Sequence, residues 1–222
     1  MVTILHPHYL YTSEGYRSDR AVAFDETIRA VDTPEALRER FPESKLVELG
    51  ERSILYPGFI NVHVHLEFSA NRAKLRYGDF MAWLHSVIEE RDELLNEATD
   101  AVMEQACAEM LRSGITSFGA ISSFGTELEL CRRIPQRVTF FNELIGSNPA
   151  SADALYGDFL ARLDASAACS GEDRITPAIA IHAPYSVHPV LVRKAVDLAK
   201  ARDLPLSTHF IESAYEREWM ER

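Results

Sequence analysis

From Pro57-Gly58 onward the chain repeats one pattern five times: a short apolar run, then a stretch with helical spacing. The runs are 58–65 (GFINVHVH), 115–121, 137–145, 175–182 and 204–210. Helical spacing follows at 78–96 and 98–113, near 127–133, at 152–168, at 188–203 and from 213 on. The runs are apolar on both faces, which suits parallel strands covered by helices. Strand–helix alternation of this kind predicts a (β/α)8 barrel. A whole barrel needs about 250 residues. The expectation is therefore an incomplete barrel holding the first five strands, in a fragment that is truncated, cleaved or completed by another chain.

Residues 1–56 read differently. VTILHPHYLYT and RAVAFDETIRAV are strand-like, with turns at Ser13-Glu14-Gly15 and Asp25-Glu26. TPEALRERF (33–41) predicts a short helix with Thr33 as N-cap and Pro34 at its first position. KLVELG and RSILY add strands on either side of Gly50. The expected organisation is a small β domain over 1–56 and barrel units over 57–222.

With 46% hydrophobic residues the chain is able to bury a core, and its formal net charge is -11. Polyanions are repelled by such a surface, so neither nucleic acid nor an anionic membrane is expected as a partner. Cys107, Cys131 and Cys169 lack C-x-x-C spacing, which disfavours a disulfide framework or a cysteine zinc site and fits a cytoplasmic setting. No run of about eighteen apolar residues occurs. G-x-S-x-G and G-x-x-x-x-G-K-[ST] are both absent, so serine-hydrolase and ATP chemistry lack support.

Three strand ends carry histidines. His63 and His65 are two residues apart on a strand and share a face, so both imidazoles are able to approach one ion at the barrel mouth. His209 ends the fifth strand, and Glu212 follows within reach of a water at the same mouth. His182 ends the fourth strand, where it either contacts a substrate or braces a Pro-containing turn. Each signal alone has an ordinary structural explanation. Three strands converging on one face is the more informative observation. His6, His8, His85 and His188 carry no such pattern. Glu143, at the end of the third strand, is a further candidate contact. His65-Leu66-Glu67 also spells the H-x-E of a different zinc deaminase fold, which is rejected because no P-C-x-x-C follows.

Together PGFINVHVHLEFS, HAPYSVHP and STHFIES resemble the amidohydrolase superfamily, in its deaminase and chlorohydrolase branch. The resemblance covers about residues 50 to 222. It implies that His63, His65 and His209 are metal ligands, Glu212 the proton shuttle and His182 a substrate contact. A histidine from a sixth strand and an aspartate from an eighth also belong to the family pattern, and the sequence ends before either. One divalent ion is expected, because the strand ITPAIAIHAPYS lacks the lysine that bridges two ions in binuclear relatives. Imidazole ligands make zinc the first expectation and iron the second.

More narrowly, HLEFSAN with YGDFMAWLHSVIEER resembles the aminofutalosine deaminases of an alternative menaquinone pathway. The implied substrate is 6-amino-6-deoxyfutalosine, a purine nucleoside bearing a benzoate. The competing readings are a chlorohydrolase or guanine- or adenosine-type deaminase on the same scaffold, and an inactive fragment or binding protein. Implied partners are a small-molecule substrate and the remaining C-terminal part of the same protein. The residues leave oligomeric state open, a homodimer included.

Overall fold

The computed structural model describes residues 1–171 and 174–222, and Pro7 divides its first apolar run into two strands. These are β1 (Thr3–His6) and β2 (Tyr9–Thr12). Proline lacks a backbone N–H and interrupts a strand ladder, which lets the two halves join different sheets. Next come β3 (Gly15–Arg17), β4 (Ala21–Phe24), β5 (Ile28–Asp32), helix α1 (Pro34–Arg40), β6 (Lys45–Glu48) and β7 (Ile54–Leu55). One sheet has the order β5-β4-β1-β6 and the other β3-β2-β7. Thr33 caps α1, its hydroxyl accepting the Ala36 N–H at 3.3 Å. Ile4, Ala21, Ala23 and Leu37 form the core of this unit.

The chain divides into two compact units, Met1–Phe59 and Ile60–Arg222. The boundary thus falls three residues beyond the 56/57 position expected from Pro57-Gly58. The second unit is built from five strands: β8 (Phe59–Val64), β9 (Ile115–Ser122), β10 (Arg137–Leu144), β11 (Ile175–Ile181) and β12 (Leu206–Thr208). Their order is β12-β11-β10-β9-β8, and the pairs β9–β10, β10–β11 and β11–β12 are parallel. The helices between them are α2 (Phe80–Glu97), α3 (Asp100–Arg112), α4 (Leu128–Arg133), α5 (Ala152–Ala168) and α6 (Pro189–Arg202). Helix α7 (Ala214–Met220) follows β12. This is the first five strands of a (β/α)8 barrel, left incomplete.

Caps bound the helices as polar residues at their starts suggest. Asp79, Thr99 and Ser213 accept backbone N–H bonds from Ala82, Val102 and Glu216. Phe118 and Phe140 pack with Met103, Cys107 and Leu130 under α3 and α4. Phe159, Leu163, Ile179 and Leu191 form a second cluster under α5 and α6. The central strands are therefore buried on both faces toward their C-terminal ends, which is what their unbroken apolar runs require.

Two local features position the mouth. The strand expected at 204–210 shortens to Leu206–Thr208. Pro205 contributes only its carbonyl, to Ile179 N at 3.0 Å, and beyond Thr208 the His209 N–H turns to His182 O at 2.9 Å. Gly119 marks a close approach. A Cβ there would lie 2.5 Å from Val62 O and 3.1 Å from Phe141 Cε2. The backbone carbonyl has nowhere to go, so Gly119→Ala is expected to destabilise the unit by about 1–3 kcal/mol. A urea melt should show a lower midpoint at an unchanged slope; an unchanged midpoint would contradict the close packing.

Candidate functional site

The extended backbone at His63 in β8 and at His65, one residue past it, sends both side chains to one face, and their Nε2 atoms lie 3.2 Å apart. His209, just past β12, brings its own Nε2 to 3.2 Å from that of His63. Its other nitrogen is committed. Nδ1 lies 2.8 Å from His182 O, a carbonyl that only accepts, so Nδ1 carries the hydrogen and Nε2 is a lone pair. His65 Nδ1 faces Glu67 Oε1 at 3.5 Å, which again directs the Nε2 lone pair into the cluster. Two accepting nitrogens therefore point at His63 Nε2, which holds at most one hydrogen. At least one close contact then joins two lone pairs. A cation among the three nitrogens removes that conflict, so this donor set fits a metal ion.

Electrostatics agree for His63. Burial, followed by the neighbouring His65, His209 and His182, pushes His63 down to about 4, leaving it neutral and able to coordinate near pH 7. Burial opposes charge on His65, but the hydrogen bond and charge of Glu67, with Glu143 and Glu127, outweigh it and raise its pKa. Burial lowers His182 against the pull of Glu143.

His182 and Glu143 border the same space. The His182 backbone N–H bonds Leu144 O at 3.1 Å, and its Nδ1 lies 2.6 Å from Ser186 Oγ. Glu143 is 2% exposed; its Oε2 accepts from Ser123 Oγ at 2.5 Å while its Oε1 has no partner among the described residues. Ligand atoms of Glu143, His182 and His209 all lie within 4.8 Å of one another. Arg162, on α5, donates to Ser122 O at 3.1 Å and Glu143 O at 2.8 Å, tying the ends of β9 and β10 together. Glu212 accepts from the Tyr185 hydroxyl at 2.9 Å. All of the expected site residues border one cavity of about 560 Å³. Its other wall is largely apolar, with Trp83, Leu84, Val87 and Ile88 of α2 and Phe68. That volume suits a small organic ligand.

Sequence reasoning assigned no role to Glu67, Glu127, Ser123, Arg162 or Tyr185. Glu67 continues the 63, 65 spacing and completes the H-x-E match rejected above; the chain in fact turns there into a 3-10 helix, Leu66–Phe68. Glu67 accepts the Ser123 N–H at 3.2 Å and, among the described residues, keeps one oxygen unpartnered, as does the fully buried Glu127. Burial, and then Glu67, raises Glu127 to about 7. His6 lies in the N-terminal unit, bonded to Glu48 at 2.7 Å, and His85 is exposed on α2. His188 caps α6.

Compared with known families, residues 54–222 match the amidohydrolase family. The chain belongs to the amidohydrolase family. An aminodeoxyfutalosine deaminase of a Nitratiruptor species is 46% identical over 219 residues, 99% of this chain and 54% of that protein. An adenosine deaminase of Helicobacter pylori is 36% identical over 91% of this chain and 48% of its own length. The crystal structure of Helicobacter pylori aminofutalosine deaminase in complex with methylthio-coformycin superimposes with a TM-score of 0.88 at 32% identity. That superposition covers 98% of this chain and 53% of the crystallised one. The chain thus spans about half the length of the curated relatives it matches. Among the described residues, no helix is long and apolar enough to cross a membrane.

Proposed function

We propose that this amidohydrolase chain supplies the metal-holding half of a hydrolytic deaminase for purine nucleosides, with 6-amino-6-deoxyfutalosine as its first substrate. The convergence of the His63, His65 and His209 Nε2 atoms beside Glu212 carries the reading. The similarity to the Nitratiruptor aminodeoxyfutalosine deaminase supports the substrate. His63, His65 and His209 would hold one divalent ion, zinc before iron, since the strand Ile175–Ile181 carries no lysine to bridge a second. Such an ion supplies Lewis-acid activation of water.

The chain's own residues do the rest. Glu212 takes a proton from the attacking water and delivers it to the purine ring nitrogen next to the carbon that loses its amino group. His182, neutral because it is buried, presents its remaining ring nitrogen to the base. Glu143 lines the cavity with a buried carboxylate, which would accept a hydroxyl or N–H of the substrate. The apolar α2 wall excludes water from the base. A second proton passes from the hydroxyl added to that carbon onto the amino group, the carbon–nitrogen bond breaks as the carbonyl forms, and ammonia leaves.

The test is ammonia release by the purified protein from 6-amino-6-deoxyfutalosine, adenosine, 5'-methylthioadenosine, guanine and a chlorinated triazine. The expected order places 6-amino-6-deoxyfutalosine first in kcat/KM. A preference for adenosine would move the assignment to the reading that the Helicobacter relative supports. Release of chloride without ammonia would sink the deaminase assignment.

A further inference from the structure

The loop between β12 and α7 carries Glu212 in an unusual conformation. Ile211, directly before it, has φ +57°, a left-handed backbone that a β-branched residue avoids and that persists only when its surroundings impose it. Two contacts impose it here. Glu216, 4% exposed, accepts the Glu212 backbone N–H through Oε2 at 2.8 Å. The Glu216 N–H in turn donates to Ser213 Oγ at 3.2 Å, so the backbone of the loop is tied to the first turn of α7. The side chain is held separately. Tyr185, on the loop after β11, donates its hydroxyl to Glu212 Oε2 at 2.9 Å across 27 residues of sequence. Burial, then the Glu212 carboxylate, raises the Tyr185 phenol above its ordinary range, so the hydroxyl stays the donor. The Tyr185 ring stands edge-on to His182 at 6.1 Å and 89°, which fixes where that hydroxyl lies.

We propose that Tyr185 is the positioning residue of Glu212, holding the carboxylate at the cavity wall while Glu216 anchors the backbone beneath it. The proposal rests on the reading of Glu212 as the proton carrier. A carboxylate on an exposed loop samples several rotamers, and only some of them face the cavity. One hydrogen bond from a ring that is itself packed selects among these without blocking proton transfer, because Oε1 remains free of Tyr185. Tyr185 then acts through Glu212 and not on the substrate.

A double-mutant cycle in the protein as it occurs in the cell separates these roles. Tyr185→Phe keeps the ring and removes the hydroxyl. It is expected to lower kcat roughly tenfold to a hundredfold, as slight misplacement of a reacting group does, with KM and metal content unchanged. In a Glu212→Gln background the same change should cost nothing further. An equal loss in both backgrounds, a raised KM at unchanged kcat, or no loss at all would overturn the proposal. If no nucleoside is turned over, the functional reading fails by itself, and the positioning role is read from a crystal structure of Tyr185→Phe. Glu212 spread over several rotamers supports the clamp there; Glu212 in its single parental rotamer refutes it.

Discussion

His209→Ala is expected to strip the ion from the protein and abolish turnover. The substitution removes one of three converging nitrogens and the only one supplied from beyond β12. Its ring is preorganised by two bonds to a single carbonyl, since both the backbone N–H and Nδ1 meet His182 O, at 2.9 and 2.8 Å. Losing an outer hydrogen-bond partner of a ligand typically costs 10–100-fold in metal affinity, and losing the ligand itself should cost more. Metal analysis after dialysis should show the stoichiometry falling from near one to near zero. The stabilisation that metal lends to thermal unfolding should vanish with it, because an ion that binds only the folded state raises its melting temperature. His85→Ala, on the exposed side of α2, is the control that should change neither quantity. Full metal occupancy in His209→Ala would remove this cluster from the metal site.

Glu212→Gln separates binding from proton transfer. Gln is nearly isosteric and still accepts the Tyr185 hydroxyl, so the loop should keep its shape. The three imidazoles are untouched, so metal content should stay that of the parent. An amide cannot carry the proton, and kcat should fall by about 10²–10⁴-fold. Retained activity would transfer the proton role to another group, such as Glu143, Glu216 or the Glu67–Glu127 pair, which are buried carboxylates near the site. The combination is diagnostic: His209→Ala loses ion and rate together, whereas Glu212→Gln loses rate alone.

Much of the fold was legible because its causes are local. Apolar runs flanked by Gly, Pro and polar caps specify β9, β10, β11 and the helices between them within a residue or two. Thr33-Pro34 marks the start of α1 because its side-chain bond spans three residues. The misreadings have local causes as well. Pro7 divides one expected strand between two sheets, and Pro205 shortens another.

The amino-acid order determined by itself that His63 and His65 share a strand face, that three histidine-bearing segments end at one rim, and that Glu212 trails His209 by three residues. These follow from the two-residue period of a strand and from strand–helix succession. Only the tertiary structure decided the rest. It set the 3.2 Å contacts among three Nε2 atoms, the His182 carbonyl that frees one of them, and the Tyr185 hydroxyl on Glu212. It also placed Glu67 and Glu127, two buried carboxylates distant in sequence, behind His65. Periodicity specifies the face on which a side chain lies. Which side chains then meet depends on the register between strands and on loops packed from opposite ends of the chain, and no local pattern encodes either.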